Sequence, residues 1–245
     1  MDYSAALLAE NRLFGELLHN ADPATPVPTC PGWTLKQLLR HVGRGDHWAA
    51  QIVEDRLTEY LDPRTARDGK PPNDADGAID WLYGGAQAVV DAVGRVGAGP
   101  EVWTFLGPRP AAWWVRRRLH EVTVHRADAT LALGADYHLS PQLAADGLTE
   151  WLERVEVQAT EAPLPLADGQ TLQLHADDGG DWALRGHGGA VSLSTGHVHN
   201  ADATVSAPAT ALFLTTVRRL PADGPQITVK GDAGAWRHWL DYTPF

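Results

Sequence analysis

A single cysteine, Cys30, stands in the whole chain, which excludes an internal disulfide and any metal site built from several thiolates. Histidines and carboxylates must therefore supply any metal ligands. A basic surplus is also missing. The formal net charge is −11, which argues against nucleic acid as a partner. No run of eighteen apolar residues is present to span a membrane. The opening Met1-Asp2-Tyr3-Ser4 has neither the basic nor the apolar region of a signal peptide, so a cytoplasmic location is expected. Internal repeats and low-complexity segments are absent as well. What is there is the composition of an ordinary globular protein, 44% hydrophobic and 21% charged, long enough for two modest domains or one large one. Ten tryptophans are many for this length, and several lie near polar motifs, where they can wall a pocket.

The first part of the chain reads as helix. Leu7, Leu8, Phe14, Leu17 and Leu18 give an apolar face from about Ser4 to His19. The stretch from Asp22 to Gly32 holds four prolines and a glycine; it cannot be helical and is expected to form an extended, semi-rigid arm. Thr34 then caps a second helix, with Gln37 completing a capping box and Trp33 stapled to Leu38. That helix is expected to run to about Tyr60. Asp62 to Asp76 reads as a polar loop and a possible lid. A third helix is expected from about Ala78 to Val96, a fourth from about Pro110 to Leu133, stopped by Gly134, and a fifth from about Gln142 to Thr160. Helices of this length with such connections suit an up-and-down bundle.

After Ala162-Pro163-Leu164-Pro165 the texture changes. Period-two alternation marks strands at Thr171–Ala176, Asp181–Arg185 and, briefly, Val191–Leu193, with further strands at Ala203–Ser206 and Ile227–Val229. Pro208 opens a helix to Arg219, and Asp232 caps a closing one carrying Trp236, Trp239 and Leu240. The expected fold is therefore α+β: a helical bundle over residues 1–161, then a small α+β domain over 164–245.

The fourth helix carries the chemistry. At about 100° per residue, Glu121 and His125 lie about 40° apart, and Asp128 lies about 20° to the other side of Glu121. A carboxylate and an imidazole at i and i+4 can chelate one ion without bending the helix, although a solvated polar stripe has the same look. The pattern is not the His-Glu-x-x-His protease motif, since three residues separate Glu121 from His125. A third ligand is needed. His41 and His47 compete for it from the second helix, about 240° out of phase with one another. His41 follows Leu38 and Leu39 on the inward side, and His47 sits among Gly43, Gly45 and Asp46. A set of two histidines and one carboxylate leaves an open position, as in catalytic zinc sites.

Three segments carry a resemblance. Val27-Pro-Thr-Cys-Pro-Gly-Trp-Thr-Leu-Lys-Gln-Leu-Leu-Arg-His41-Val42 looks like the first signature of the actinobacterial mycothiol-dependent maleylpyruvate isomerase family. Arg117-Arg118-Leu119-His120-Glu121-Val122-Thr123-Val124-His125-Arg126-Ala127-Asp128 is similar to its second. The tail from Ala201 to Leu212 resembles the family's carboxy-terminal domain, which is related to sterol carrier protein folds. The likeness implies a DinB-like metal-binding bundle with His41, Glu121 and His125 as ligands, and mycothiol as cosubstrate. It also implies a substrate- or thiol-binding arginine in the second domain. Arg218 or Arg219 matches that position best, with Arg237 a weaker choice.

The expected activity is thus that of a metal-dependent enzyme using mycothiol for thiol addition, isomerisation or S-transfer on a small electrophile. No protein nucleophile is required. A divalent metal holding a thiolate or water would do the chemistry, with zinc the best match and iron(II) or nickel as other candidates. Asp128 could orient His125 from behind, and Arg117, on the motif face, could contact an acidic substrate. Cys30 is read chiefly as packing, His120 as pointing away from the site, and Trp48, Trp103, Trp113 and Trp114 as core and pocket wall. The expected partners are the thiol and the electrophile, with neither nucleic acid nor membrane, in a monomer or homodimer. Two other readings stand beside this one: a thiol-independent metal hydrolase or lyase, and a non-catalytic carrier with a large apolar cavity in the second domain.

Overall fold

Asp2 accepts the Ala5 N–H at 3.0 Å and caps the first helix, α1 (Tyr3–His19). The computed structural model describes residues 1–159 and 163–245. The expected fifth-helix end at Thr160 and the expected domain boundary at residue 161 lie outside the described residues. The chain divides into two compact units, Met1–Tyr137 and His138–Phe245.

In the first unit, the expected capping box opens α2 (Leu35–Glu54): the Thr34 N–H donates to Gln37 Oε1 at 2.8 Å. This helix stops well short of Tyr60. Arg56 turns left-handed at φ 49°, and the Leu57 N–H folds back onto Ile52 O at 2.9 Å. The segment that follows, read as a possible lid, is fastened to its neighbours. Arg67 donates to Glu54 Oε2 at 3.1 Å and to Asp55 Oδ2 at 2.8 Å. Trp81 Nε1 donates to Asp68 O at 2.5 Å. Asp74 caps α3 (Ala75–Val96) by accepting the Gly77 N–H. A two-residue antiparallel pair, β1 (Glu101–Val102) with β2 (Arg109–Pro110), leads into α4 (Ala112–Leu133). Pro110 therefore lies in a strand, outside the helix it was expected to open. Gly134 ends α4 in the left-handed conformation at φ 64°, as expected.

Helix α1 packs on α3 and α4, and α2 packs on α3 and α4. Leu7, Phe14, Leu38, Val42, Leu82, Val89, Leu119 and Val122 are buried between them. Glycines permit the tightest approaches: a Cβ on Gly43 would come within 2.3 Å of the Trp81 ring, and one on Gly45 within 2.6 Å of the Arg118 guanidinium. Helix α4 is buried around nearly its whole circumference from Trp114 to Thr130, charged residues included. Its polar stripe is interior.

The second unit is built on a five-stranded sheet, β3 (Thr171–Ala176), β4 (Gly180–His187), β5 (Ala190–Thr195), β6 (Ala203–Ala207) and β7 (Thr228–Gly231). The order is β5-β4-β3-β6-β7, antiparallel except for the β3–β6 pair. Leu172, Leu174 and Ala176 of β3 face the core, with Phe213 of α6 (Ala209–Thr216) and Trp236 and Trp239 of α7 (Ala233–Tyr242) also buried. The fifth helix, α5 (Pro141–Gln158), belongs to this unit. It was expected in the bundle, but its apolar side packs on α6 and β5. Thr149 Oγ1 of α5 accepts Trp182 Nε1 at 2.9 Å, and Glu156 Oε1 accepts the Leu193 N–H at 2.8 Å. The fold is α+β, helical first and strand-containing second. No helix among the described residues is long and apolar enough to cross a membrane.

Candidate functional site

Helices α2 and α4 bring three donors together. His41 Nε2 lies 3.0 Å from Glu121 Oε1, and His125 Nε2 lies 3.4 Å from that same oxygen. One donor atom from each of His41, Glu121 and His125 falls within 4.8 Å of the others. The imidazole rings of His41 and His125 meet edge to face, with centroids 4.9 Å apart. His47, the competing histidine, points elsewhere: its Nε2 is 3.1 Å from Trp81 O, and its ring stacks on Trp81.

The second oxygen of Glu121 is held by Arg117, whose Nη2 donates to Oε2. Arg117, expected to meet substrate, is buried with its guanidinium turned onto the carboxylate. Arg118 Nη1 stands 4.0 Å from Oε1, while its Nε bonds Asp46 Oδ1 at 2.7 Å. Burial alone would raise the Glu121 pKa. The Arg117 charge, hydrogen bonds from His125 and His41 and the Arg118 charge overcome it and hold the carboxyl well below the usual range. Burial lowers the His41 pKa against the pull of Glu121, which favours the neutral imidazole that a metal requires.

His125 works with both ring nitrogens. Its Nδ1 donates to Asp128 Oδ2 at 2.8 Å, leaving Nε2 toward Glu121. Burial would lower its pKa, but its hydrogen bonds with Asp128, Cys30 and Glu121 raise it to about 10. Donors around a tetrahedral ion at about 2.0–2.1 Å stand about 3.3 Å apart, close to the 3.0 and 3.4 Å separations at Glu121 Oε1. The donor set of two imidazoles and one carboxylate fits a divalent ion such as zinc. The His41 side chain keeps 41% of its surface exposed, against 16% for Glu121 and 6% for His125. Access is therefore from the His41 side.

Three site neighbours, Thr29, Cys30 and Trp33, come from the proline-rich stretch and the residue that follows it. That stretch is not extended. It folds back so that Pro26 bridges Thr34 and the Val27 N–H donates to Trp33 O at 2.9 Å. Fixed proline φ angles exclude helix but suit turns, and the Pro31-Gly32 dipeptide, with Gly32 at φ 81°, was the available signal. The fold-back places Trp33 against His41, with centroids 4.9 Å apart, and over His125 at 6.4 Å, nearly parallel. Trp33 was expected to staple Leu38. Thr29 and Cys30 reach Asp128, so Cys30 does more than pack. His120 is buried. Trp48, Trp103, Trp113 and Trp114 form an aromatic cluster with Phe105.

Arg218 and Arg219 lie in the second unit. Arg218, at φ 63°, donates through Nη2 to Leu240 O. Arg219 donates to Val217 O at 2.8 Å and sits over the Phe245 ring. Arg237 is exposed on α7.

Comparison with known proteins adds a family. The model of the mycothiol maleylpyruvate isomerase N-terminal domain matches residues 4–130, and that of the MDMPI C-terminal domain matches residues 142–238. A crystal structure of a histidine-to-alanine mutant of the mycothiol-dependent maleylpyruvate isomerase superposes with a TM-score of 0.62 at 15% identity, covering 95% of this chain and 93% of that one. A second crystal structure of the mycothiol-dependent maleylpyruvate isomerase gives 0.58 at the same identity and coverage. At that identity the likeness is one of fold. No curated protein matches the chain significantly in sequence.

Proposed function

Because the chain belongs to the mycothiol-dependent maleylpyruvate isomerase family, we propose that it is a metal-dependent enzyme in which mycothiol adds to a small electrophile beside His41, Glu121 and His125. The observation that carries this reading is the convergence of those three donors from two helices, with Arg117 occupying the far oxygen of Glu121. A divalent ion there, zinc first among candidates, supplies Lewis acidity that favours thiolate over thiol near neutral pH.

The chain's own residues do the rest. Neutral His41 offers a lone pair, and ionised Glu121 offers charge through the one oxygen that Arg117 leaves to the centre. Trp33 walls the two imidazoles and excludes water from one side of them. The exposed His41 side is the way in for thiol and electrophile. With an electron-poor double bond, a C–S bond forms, the former double bond rotates, and C–S cleavage returns the thiol: an isomerisation, with maleylpyruvate the substrate named for the family. With an electrophile that carries a leaving group, the same C–S bond stays and the outcome is S-transfer. Neither route needs a nucleophilic side chain.

The test is metal content of untagged protein beside a His125→Ala variant, followed by turnover of a panel of electron-poor alkenes and other electrophiles with and without mycothiol. About one zinc per chain, lost in the variant, with turnover only when thiol is present, supports the reading. Turnover without thiol would replace it with a metal hydrolase or lyase, with water as nucleophile. Absence of both metal and turnover would overturn it. A carrier role finds less support: a pocket of about 550 Å³ among the described residues of the second unit is lined largely by polar groups such as Arg185, Ser192, Ser194, His197 and Asn200.

A further inference from the structure

Asp128 is fully buried, and both of its oxygens are engaged from outside its own helix. Thr29 Oγ1 donates to Oδ1 at 2.6 Å. Cys30 Sγ donates to Oδ2 at 3.4 Å. That second oxygen also accepts His125 Nδ1–H at 2.8 Å. The carboxylate is thus fixed about its Cβ–Cγ bond by a side chain about a hundred residues away in sequence, and the imidazole is fixed by the carboxylate.

The backbone around Thr29 is built to hold it there. The Cys30 N–H donates to Val27 O at 3.0 Å, closing a turn with Pro28 second and Thr29 third. The Trp33 N–H donates to Cys30 O at 3.0 Å, closing another with Pro31 second and Gly32 third at φ 81°, the residue pattern of a type II turn. Two prolines and a left-handed glycine leave little freedom between Val27 and Trp33. The Leu35 N–H bond to Thr25 O at 3.0 Å ties the start of the loop to the first turn of α2, the helix that carries His41.

We propose that Thr29 is a positioning residue of the candidate metal centre, acting through Asp128 on His125. Removing its hydroxyl takes a short hydrogen bond from Oδ1 of a buried carboxylate, which loosens the hold on the carboxylate plane and, through Oδ2, on His125 Nδ1–H. Nε2 is then held less firmly where it faces Glu121 Oε1. Partners that orient a ligating histidine from behind are worth about 10- to 100-fold in metal affinity, and an intermediary one step further out is expected toward the lower end, about ten-fold. The inference rests on the metal reading above, so its test has one arm that needs no metal.

Thr29→Val keeps the shape and removes the donor; Thr29→Ser keeps the donor. Zinc dissociation constants of the full-length proteins are measured by competition with a chromophoric chelator. In the metal-free proteins, the exchange-protected Nδ1–H proton of His125 is followed by nitrogen-edited NMR, assigned through His125→Ala. The expected result is about ten-fold weaker zinc binding and a broadened or exchange-labile Nδ1–H in Thr29→Val, with both restored in Thr29→Ser. An unaltered Nδ1–H signal in Thr29→Val overturns the proposal whether or not zinc binds. So does equal loss in both variants, or a lowered melting temperature with the zinc constant unchanged. Failure of the wild type to bind zinc overturns the metal reading alone, and the Nδ1–H comparison still decides the role of Thr29.

Discussion

Asp46 and Arg118 meet at 2.7 Å in the middle of the first unit, with almost no side-chain surface of either in water. Asn11 Nδ2 donates to the other carboxylate oxygen at 3.1 Å, and Arg118 Nη2 donates to Val42 O at 3.0 Å. A buried pair of this kind contributes little net stability against an apolar replacement, but losing one partner strands a charge. Asp46→Ala is expected to lower unfolding free energy by about 3–5 kcal/mol, measured by urea titration. Asp46→Leu combined with Arg118→Met is expected to recover most of that. If the double variant is no more stable than the single one, the pair does more than neutralise charge.

Gly45 lets the Arg118 guanidinium pass over α2. Alanine there gains up to about 1 kcal/mol in helix propensity, yet its Cβ would fall within 2.6 Å of the guanidinium. Displacing a well-packed group costs about 1–3 kcal/mol, so Gly45→Ala is expected to be net destabilising by urea titration. A stabilised variant would show that Arg118 relaxes freely, which its bonds to Asp46 and Val42 argue against.

The two histidines of α2 separate cleanly. His41→Ala is expected to reduce bound zinc by at least about ten-fold in affinity, because it removes a donor outright. His47→Ala should leave zinc content unchanged and cost only the hydrogen bond to Trp81 O and the packing on the Trp81 ring. Equal losses would place the centre somewhere other than beside Glu121.

Much of this site was legible because an α-helix is a ruler. The i,i+4 spacing put Glu121 and His125 side by side, whereas helix phase alone left His41 and His47 in competition and the family resemblance favoured His41. The residues behind the ligands were not legible in that way. Thr29, Cys30 and Trp33 lie where no period runs, and their directions follow from two successive turns. The end of α2 carried no glycine or proline, since Arg56 itself takes the left-handed conformation. The amphipathic pattern of α5 says that one face is covered, but not by what; in the structure α6 and β5 cover it.

A fragment of residues 138–245 retains α5, with Thr149 on Trp182 and Glu156 on the Leu193 N–H. It is expected to unfold cooperatively on heating. A fragment of residues 164–245 exposes the faces of β5 and α6 that α5 covers, and is expected to aggregate or to lose at least about 3 kcal/mol. Comparable stability of the two fragments would show that α5 is an accessory to the sheet.

Helix α4 bears Arg117, Arg118, Glu121, His125, Arg126 and Asp128 over little more than three turns, and three of them are engaged by different segments: Arg126 by Glu10 of α1 at 2.7 Å, Arg118 by Asp46 of α2, Asp128 by Thr29. A substitution at one of these positions breaks one link. Inserting or deleting a single residue near Val122 is different in kind, because it rotates everything downstream by about 100°. Glu121 would then lose His125 at the same moment as Asp128 leaves Thr29 and Arg126 leaves Glu10. Reading-frame-preserving length changes in this helix are therefore all-or-nothing events, and the loops on either side of it are where this chain can absorb them.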